Sequence, residues 1–326
     1  MPLRIDYESD GFPPEGPIPN GDHVLETSWD ELLWAAITVG RPNRQYVFRH
    51  GVASSYEALF RWSLVRMALE QAGPNARRLH RTSAARTLDP SEKGAISYFL
   101  GLAICKLFAS KLLDTPWLLH LDVFRPMLNP VLMGRSRPDL VGQTTAGHWI
   151  VLECKGRVSP PNDTAKDKAK EQAERLVSVN GAVPTLKIGV IAYFRNEVLR
   201  FFWRDPASDS RIVRNPIAIT VEASDWRHYY LPTLDLIRSR PDYLERMMQE
   251  PVLMPVDSAD LEVGIHPAVL RLLIDSKWEE VRRLVATEGI EEMNLHYQPG
   301  GIAVVAGERW LEPFEEIDKR FGSERT

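Results

Sequence analysis

The sequence predicts an α/β fold in which helices cover a sheet, with a helical N-terminal portion and a small C-terminal extension. Two observations support this prediction. Residues 91–203 alternate between segments of helical and of strand periodicity, and a glycine-containing turn at 143–147 separates two strand-like segments. The hydrophobic content of 44% and charged content of 26% are those of an ordinary globular protein, and 326 residues suffice for one large domain or two of ordinary size.

The N-terminal portion, residues 1–90, begins without clear periodicity. Residues 1–27 are rich in proline, glycine and acidic residues, which predicts an irregular arm. Residues 29–36 follow the cap candidates Thr27 and Ser28 and predict a helix. Apolar residues spaced by three and four positions predict a second helix at 56–72.

The central portion, residues 91–250, has the clearest patterns. A long apolar segment predicts a buried helix at its start, and β-branched and aromatic runs between turn residues predict strands. The predicted elements are a helix at 91–114, strands at 117–124, 137–142 and 148–155, a helix at 163–179 ending at Asn180-Gly181, strands at 186–194, 198–203 and 216–222, and a helix at 233–250.

The C-terminal portion, residues 251–326, is predicted to be an acidic extension of helical or α/β structure. A proline-bearing linker is expected at 251–260, because prolines interrupt the periodic pattern there. Helical spacing continues over 267–287, and the apolar run at 301–307 predicts a short strand.

Charge is distributed unevenly along a chain whose net charge is -4. The segment 41–87 holds nine arginines, no lysine and two acids, a net of +7, whereas residues 251–326 hold 15 acids against eight basic residues. Overall basicity of the kind that coats nucleic acid is therefore absent, although a local patch would suffice. Two interpretations remain open: the arginines bind phosphate, or the two ends of the chain neutralise each other across a domain or subunit interface.

The cellular location is predicted from the cysteines and the N-terminus. Two cysteines, Cys105 and Cys154, are too few for a disulfide framework and indicate a reducing cytoplasm. The first residues lack the basic start and apolar run of a secretory signal. The longest charge-free apolar stretch, residues 94–105, is shorter than the ~20 residues that cross a bilayer, so no membrane association is expected.

Three ionisable residues stand out in the predicted hairpin. Pro138-Asp139 is followed by thirteen residues and then by Glu153-Cys154-Lys155. Because side chains alternate along a strand, Glu153 and Lys155 share one face, and the apolar residues around them share the other. Antiparallel pairing of the hairpin brings Asp139 near Glu153, and two carboxylates that close repel each other unless a cation lies between them.

This motif resembles that of the PD-(D/E)xK nuclease superfamily, whose fold is restriction-endonuclease-like. The predicted order of elements is similar to the αβββαβ core of that family over about 110 residues. The resemblance implies that Asp139 and Glu153 bind Mg²⁺ or Mn²⁺, together with the backbone carbonyl of Cys154. It implies that Lys155 positions or polarises the attacking water, which suits phosphodiester hydrolysis because developing charge on the phosphate must be neutralised.

Supporting residues are expected around these three. By the same resemblance, Glu92 on the first core helix and Gln172 on the following helix are candidate catalytic residues. Each also has an ordinary explanation, since an acid in a first turn stabilises any helix and polar residues occupy solvated helix faces. Candidate nucleic-acid contacts, for which solvated loop or surface residues are the alternative, are Arg135, Arg137, Arg157 and Lys168.

The sequence thus predicts a cytoplasmic, magnesium-dependent DNase acting in restriction, anti-phage defence or DNA processing, as a homo-oligomer or with a partner protein. Two alternatives remain open. One is a catalytically silent subunit that binds nucleic acid or scaffolds a defence complex, and the other is an RNase that uses the same site.

Overall fold

The computed structural model describes residues 2–39, 56–72, 76–127, 137–206, 213, 215–288 and 297–314. It confirms a mixed α/β architecture. Its strands, in chain order, are β1 (Leu3–Asp10), β2 (Gly21–Thr27), β3 (Leu69–Gln71), β4 (Leu79–Arg81), β5 (Trp117–His120), β6 (Leu140–Gln143), β7 (Trp149–Arg157), β8 (Leu176–Val179), β9 (Leu186–Arg195), β10 (Val198–Arg204), β11 (Ile217–Ile219), β12 (Met254–Val256), β13 (Leu261–Ile265), β14 (Tyr297–Gln298) and β15 (Ile302–Ala306).

Nine α-helices occur in the described part of the chain. They are α1 (Trp29–Thr38), α2 (Tyr56–Ala68), α3 (Ser83–Thr87), α4 (Pro90–Leu112), α5 (Asp163–Glu174), α6 (Arg227–Arg238), α7 (Pro241–Met247), α8 (Pro267–Ile274) and α9 (Trp278–Glu288). The first begins at Ser28, one of the two predicted cap residues: Ser28 accepts the N–H of Glu31, and the Glu31 carboxylate accepts the N–H of Ser28. This reciprocal pair satisfies two N–H groups that a helix start otherwise leaves free.

The main sheet has the strand order β2-β1-β10-β9-β7-β6-β5, with β3 and β4 attached beside β10. Strands β1 and β10, and strands β7 and β9, run parallel, and the other neighbours run antiparallel. Helix α4 packs on one face and is itself covered by α1 and α2, while α5 packs on the opposite face against β7 and β9. The sheet is therefore covered on both faces where β7 and β9 lie, which explains why most residues of these strands are buried.

The prediction of an irregular arm at residues 1–27 is wrong. Strands β1 and β2 form an antiparallel hairpin, and β1 extends the main sheet by pairing with β10. Alternate side chains of β1, Leu3, Ile5 and Tyr7, are buried, so the pattern of period two is present in the sequence. No strand was predicted here because acidic residues occupy the outer face of β1 and a proline-rich turn follows the strand.

Two predicted elements of the central portion end earlier than expected. The strand at 117–124 stops at His120, and a 3-10 helix, Leu121–Met127, follows. The helix expected over 163–179 ends at Glu174, because residues 176–179 form β8 and pair with β11. Asn180 and Gly181, expected to end the helix, instead form a turn with positive φ after β8.

Helices also break where the sequence predicts continuity. The helix expected at 233–250 is two helices, α6 and α7, and the helical pattern at 267–287 divides into α8 and α9. Ser276, between the latter two, has a φ of 59°, which a continuous helix does not allow. The expected linker at 251–260 contains β12.

The C-terminal extension contributes a second sheet, with the order β12-β13-β15-β14. It lies against the N-terminal helix α1: the N–H of Ala306 donates to Asp30 at 2.9 Å, and the rings of Trp29 and Trp310 are 5.3 Å apart. One continuous group of buried apolar residues reaches from Leu3 to Trp310. This buried core continues across the domain boundaries predicted near residues 90 and 250. The boundaries themselves stay predictions.

Helix α4 is the one helix of the described chain long and apolar enough to cross a bilayer. However, 72% of its most apolar window is buried inside the protein, against the sheet and the N-terminal helices. Burial of this kind is typical of the central helix in a soluble α/β fold.

Candidate functional site

The hairpin formed by β6 and β7 brings Asp139, Glu153 and Lys155 together. Leu140 pairs with Leu152 at the start of β6, so the next pair outward in the same register places Asp139 opposite Glu153. Residues opposite each other in a sheet point to the same face, and Lys155 follows two positions later on that face. The three side chains therefore converge on the face that α5 covers.

The contacts within this group are close. Glu153 is 1% exposed, and the ammonium of Lys155 donates to its Oε1. The other oxygen, Oε2, is buried and has no hydrogen-bond partner among the described residues. The backbone N–H of Cys154 donates to Asp139 Oδ2 at 2.9 Å. The Lys155 side chain is 39% exposed, which makes it the solvent-facing member of the group.

Desolvation raises the pKa of both carboxyl groups, and the charge of Asp139 adds to the effect at Glu153. Burial raises the pKa of Asp139, and the hydrogen bond from Cys154 only partly opposes this. Burial and the adjacent charge of Asp139 raise the pKa of Glu153 to about 8, against the partial compensation by Lys155. Two acids and one ammonium leave an excess of negative charge in a buried place, which favours either an added proton or an added cation.

Close packing of α4 on β7 determines the geometry of this group. A side chain at Gly101 would place its Cβ 2.8 Å from the backbone N of Gly156, and a Cβ at Gly156 would lie 1.5 Å from the carbonyl oxygen of Ser97. Helix and strand backbones thus touch directly, which only glycine permits. The residue after Ser97, Tyr98, is consequently held near the place where β6 begins and β7 ends.

Sequence reasoning missed Tyr98 and His120. The hydroxyl of Tyr98 lies 3.1 Å from Nε2 of His120 and 3.5 Å from Oδ1 of Asp139. The N–H of Asp122 donates to Nδ1 of His120 at 3.3 Å, and Nε of Arg137 donates to Asp122 at 2.6 Å. The only signal in the sequence is that each lies within an apolar segment, and such isolated polar residues are common in buried helices and strands.

Glu92, a predicted catalytic residue, is not brought to this group. It is exposed in the first turn of α4, where its carboxylate accepts the N–H of Asp89 at 3.2 Å in a capping box. It precedes Tyr98 by six residues, which is about 9 Å along a helix. Stabilisation of the first helical turn, the alternative explanation for Glu92, therefore accounts for its contacts.

Gln172 lies on the helix that covers the correct face of the sheet. It is 8% exposed, and its Oε1 is buried without a partner among the described residues. No hydrogen bond links it to Asp139, Glu153 or Lys155 within the described chain. Its burial contradicts the alternative of simple solvent exposure.

The predicted nucleic-acid contacts have different environments. Arg135 lies outside the described residues. Arg137 is already paired with Asp122, so its charge is largely neutralised within the protein. Arg157, at the end of β7, and Lys168, on α5, are exposed. Arg157 follows Lys155 by two positions and shares its face of the sheet, which makes it the better placed of the two.

The arginines of segment 41–87 that the structure describes mostly contact acceptors of the same chain. Arg77 and Arg78 pair with acids of the N-terminal hairpin, and Arg81 pairs with Glu197. Arg66 donates to the backbone carbonyls of Arg309 and Glu312 in the C-terminal portion. The acids that pair with Arg77, Arg78 and Arg81 lie outside residues 251–326, so these ion pairs do not decide between phosphate binding and neutralisation by the acidic C-terminal end.

Within the described ranges, no group of three or more His, Cys, Asp or Glu side chains is arranged to hold a metal ion. Asp139 and Glu153 therefore supply two carboxylates, and any further ligand has to come from the backbone or from water. No known protein family, curated protein or solved structure matches this chain.

Proposed function

We propose that this protein is a magnesium-dependent nuclease of the PD-(D/E)xK type that hydrolyses phosphodiester bonds in DNA. The observation that carries the proposal is the pair of carboxyl groups at the half-buried Asp139 and the buried Glu153, with an unpartnered oxygen on Glu153 among the described residues and a part-exposed ammonium at Lys155. Structural ion pairs seldom leave a buried carboxylate oxygen unsatisfied, because the desolvation of that atom costs stability.

The residues present fit a divalent cation. Oxygen ligands are those that Mg²⁺ prefers, and an ion at Asp139 and Glu153 would offset the charge of Asp139 that helps to raise the pKa of Glu153. The Cys154 N–H is donated to Asp139, and both backbone polar groups of a strand residue point towards the same neighbouring strand. The carbonyl of Cys154 therefore faces the side on which Asp139 lies and is suited to be a third ligand.

The chain's own residues have separable roles in the proposed chemistry. When bound, the metal supplies neutralisation of phosphate charge and a water of lowered pKa. Asp139 and Glu153 hold that ion, and the ammonium of Lys155 stabilises negative charge that develops on the phosphate. Arg157, exposed on the same face, binds a flanking phosphate of the substrate.

The proposed setting is the cytoplasm, in restriction, anti-phage defence or DNA processing, as a homo-oligomer or with a partner protein. Support for a reducing compartment comes from the two cysteines. They are too few for the disulfide framework that is typical of small secreted proteins.

The test is a cleavage assay of the full chain with plasmid DNA, linear DNA and RNA, in Mg²⁺, in Mn²⁺ and in EDTA. We expect metal-dependent cleavage of DNA that is lost in Lys155→Ala and in Glu153→Ala. The matched control is Lys277→Ala, which removes an ammonium from an exposed turn between α8 and α9.

Each result of this assay decides between the candidate functions. Cleavage in EDTA, or unchanged cleavage by Lys155→Ala, would remove the site from the mechanism. Cleavage of RNA alone would reassign the substrate to RNA. Metal binding and DNA binding without any cleavage would identify a catalytically silent subunit.

A further inference from the structure

The contacts of Tyr98 point to a role beyond packing. Tyr98 extends from α4, on the opposite side of the sheet from α5, yet its hydroxyl reaches the carboxylate of Asp139 at 3.5 Å. It can do so because Ser97 and Gly101 lie directly on Gly156, which holds this turn of the helix at the end of the strands. Tyr98 is 44% exposed as a residue, so its position is not explained by full burial of a large apolar group.

The hydrogen bonds that link Asp122, His120, Tyr98 and Asp139 run in one consistent direction. The N–H of Asp122 donates to Nδ1 of His120, so in a neutral ring the proton is on Nε2. Burial lowers the pKa of His120, which favours that neutral ring. Nε2–H then donates to the oxygen of Tyr98, and the hydroxyl hydrogen of Tyr98 is directed to Asp139.

Asp139 is consequently held through both of its oxygens. Oδ1 accepts from Tyr98, and Oδ2 accepts from the N–H of Cys154 at 2.9 Å. Without such donors, repulsion from Glu153 would favour rotation of the Asp139 carboxylate away from its neighbour. Groups that hydrogen-bond to a metal-binding carboxylate keep it in the orientation that the ion requires.

We propose that Tyr98 is a positioning residue for Asp139, with His120 orienting its hydroxyl, and that the pair sets the affinity of the site for its divalent ion. This inference rests on the proposed function, since it assigns Asp139 to a metal. Tyr98 acts through Asp139 and does not itself touch the ion. Replacement of its hydroxyl therefore alters metal affinity, while the rate at saturating metal stays close to that of the wild type.

The test compares the wild type with Tyr98→Phe, which keeps the ring and removes only the hydroxyl. The matched control is Tyr243→Phe on α7, a half-buried tyrosine whose ring packs against Arg240 and Arg246. Binding of Mn²⁺ is measured by electron paramagnetic resonance without DNA, and the Mg²⁺ dependence of cleavage is measured separately. We expect about a 10-fold loss of Mn²⁺ and Mg²⁺ affinity in Tyr98→Phe, the lower end of the usual range because the bond is long.

A double-variant comparison shows whether the effect passes through Asp139. In an Asp139→Asn background, Tyr98→Phe is expected to change Mn²⁺ binding less than about twofold. Unchanged Mn²⁺ affinity in Tyr98→Phe, or an equal loss in the Asp139→Asn background, would overturn the positioning role and leave the nuclease proposal standing. Absence of Mn²⁺ binding by the wild type would overturn both. Mn²⁺ binding without cleavage would overturn the nuclease proposal alone.

Discussion

The raised pKa of Glu153 makes the stability of the metal-free protein depend on pH. In the folded state this carboxyl group holds its proton up to about pH 8, whereas in the unfolded chain it releases the proton near its ordinary value of 4.5. Between these values the folded state binds more protons than the unfolded state, so the free energy of unfolding falls as pH rises. Asp139, whose pKa is also raised, acts in the same direction.

The size of the effect follows from the same two values. One pKa unit corresponds to about 1.4 kcal/mol, so the difference between 4.5 and about 8 sets an upper bound of about 5 kcal/mol for Glu153. We expect a loss of about 2–4 kcal/mol between pH 5 and pH 9 in EDTA, because the unfolded-state group is already mostly ionised at pH 5 and the part-exposed ammonium of Lys155 can move towards the ionised carboxylate. Saturating Mg²⁺ should restore much of this loss at high pH.

Urea unfolding followed by tryptophan fluorescence measures this dependence. Glu153→Gln keeps the shape of the side chain and cannot ionise, so its unfolding free energy should exceed that of the wild type at pH 9 and match it near pH 4.5. Glu171→Gln, on the exposed side of α5, removes the same charge elsewhere and should keep the wild-type slope. Parallel curves of unfolding free energy against pH for the wild type and Glu153→Gln would refute the inference that burial and the charge of Asp139 raise the pKa of Glu153.

Three further results are expected from single substitutions. Gly156→Ala should lower the unfolding free energy in urea by about 3 kcal/mol or more, because its Cβ would overlap the carbonyl oxygen of Ser97, and a near-neutral result would contradict the direct contact of helix and strand. Glu92→Gln should slightly lower the melting temperature by weakening the cap at Asp89, with cleavage unchanged, and a loss of cleavage would return Glu92 to the active site. Lys106→Met should raise the unfolding free energy by about 1–3 kcal/mol, since the fully buried Nζ of Lys106 has no hydrogen-bond partner in the described chain. A decrease would indicate that the contacts of Nζ with aromatic rings outweigh its desolvation.

Local patterns were sufficient to predict the elements around the candidate site. The apolar segment at 91–114 and the hairpin turn at 143–147 correspond to α4 and to the connection between β6 and β7. Glu153 and Lys155 share a face because alternation along a strand is a property of its backbone, independent of what packs upon it. The approach of Asp139 to Glu153 also follows from the hairpin, since its short turn determines the register.

Pairing between distant segments decided the elements that were predicted wrongly. Residues 176–179 are apolar and compatible with either a helix or a strand, and their pairing with β11 selects the strand. The N-terminal strand β1 has its partner β10 about 190 residues away, so no local signal announces the pairing. Intrinsic preferences of short segments are small compared with the burial and hydrogen bonding that such pairing provides.

The sequence by itself determined that an apolar helix, a hairpin and a second helix succeed one another, and that two acids and a lysine converge at the open end of the hairpin, away from its turn. Only the tertiary structure decided that Tyr98 reaches Asp139 and His120, that Glu92 serves in a helix cap, and that Glu153 is buried beside the half-buried Asp139. The physical reason is that periodicity and register depend on the backbone of neighbouring residues. Contacts between side chains and the desolvation of charge depend on which distant elements pack together.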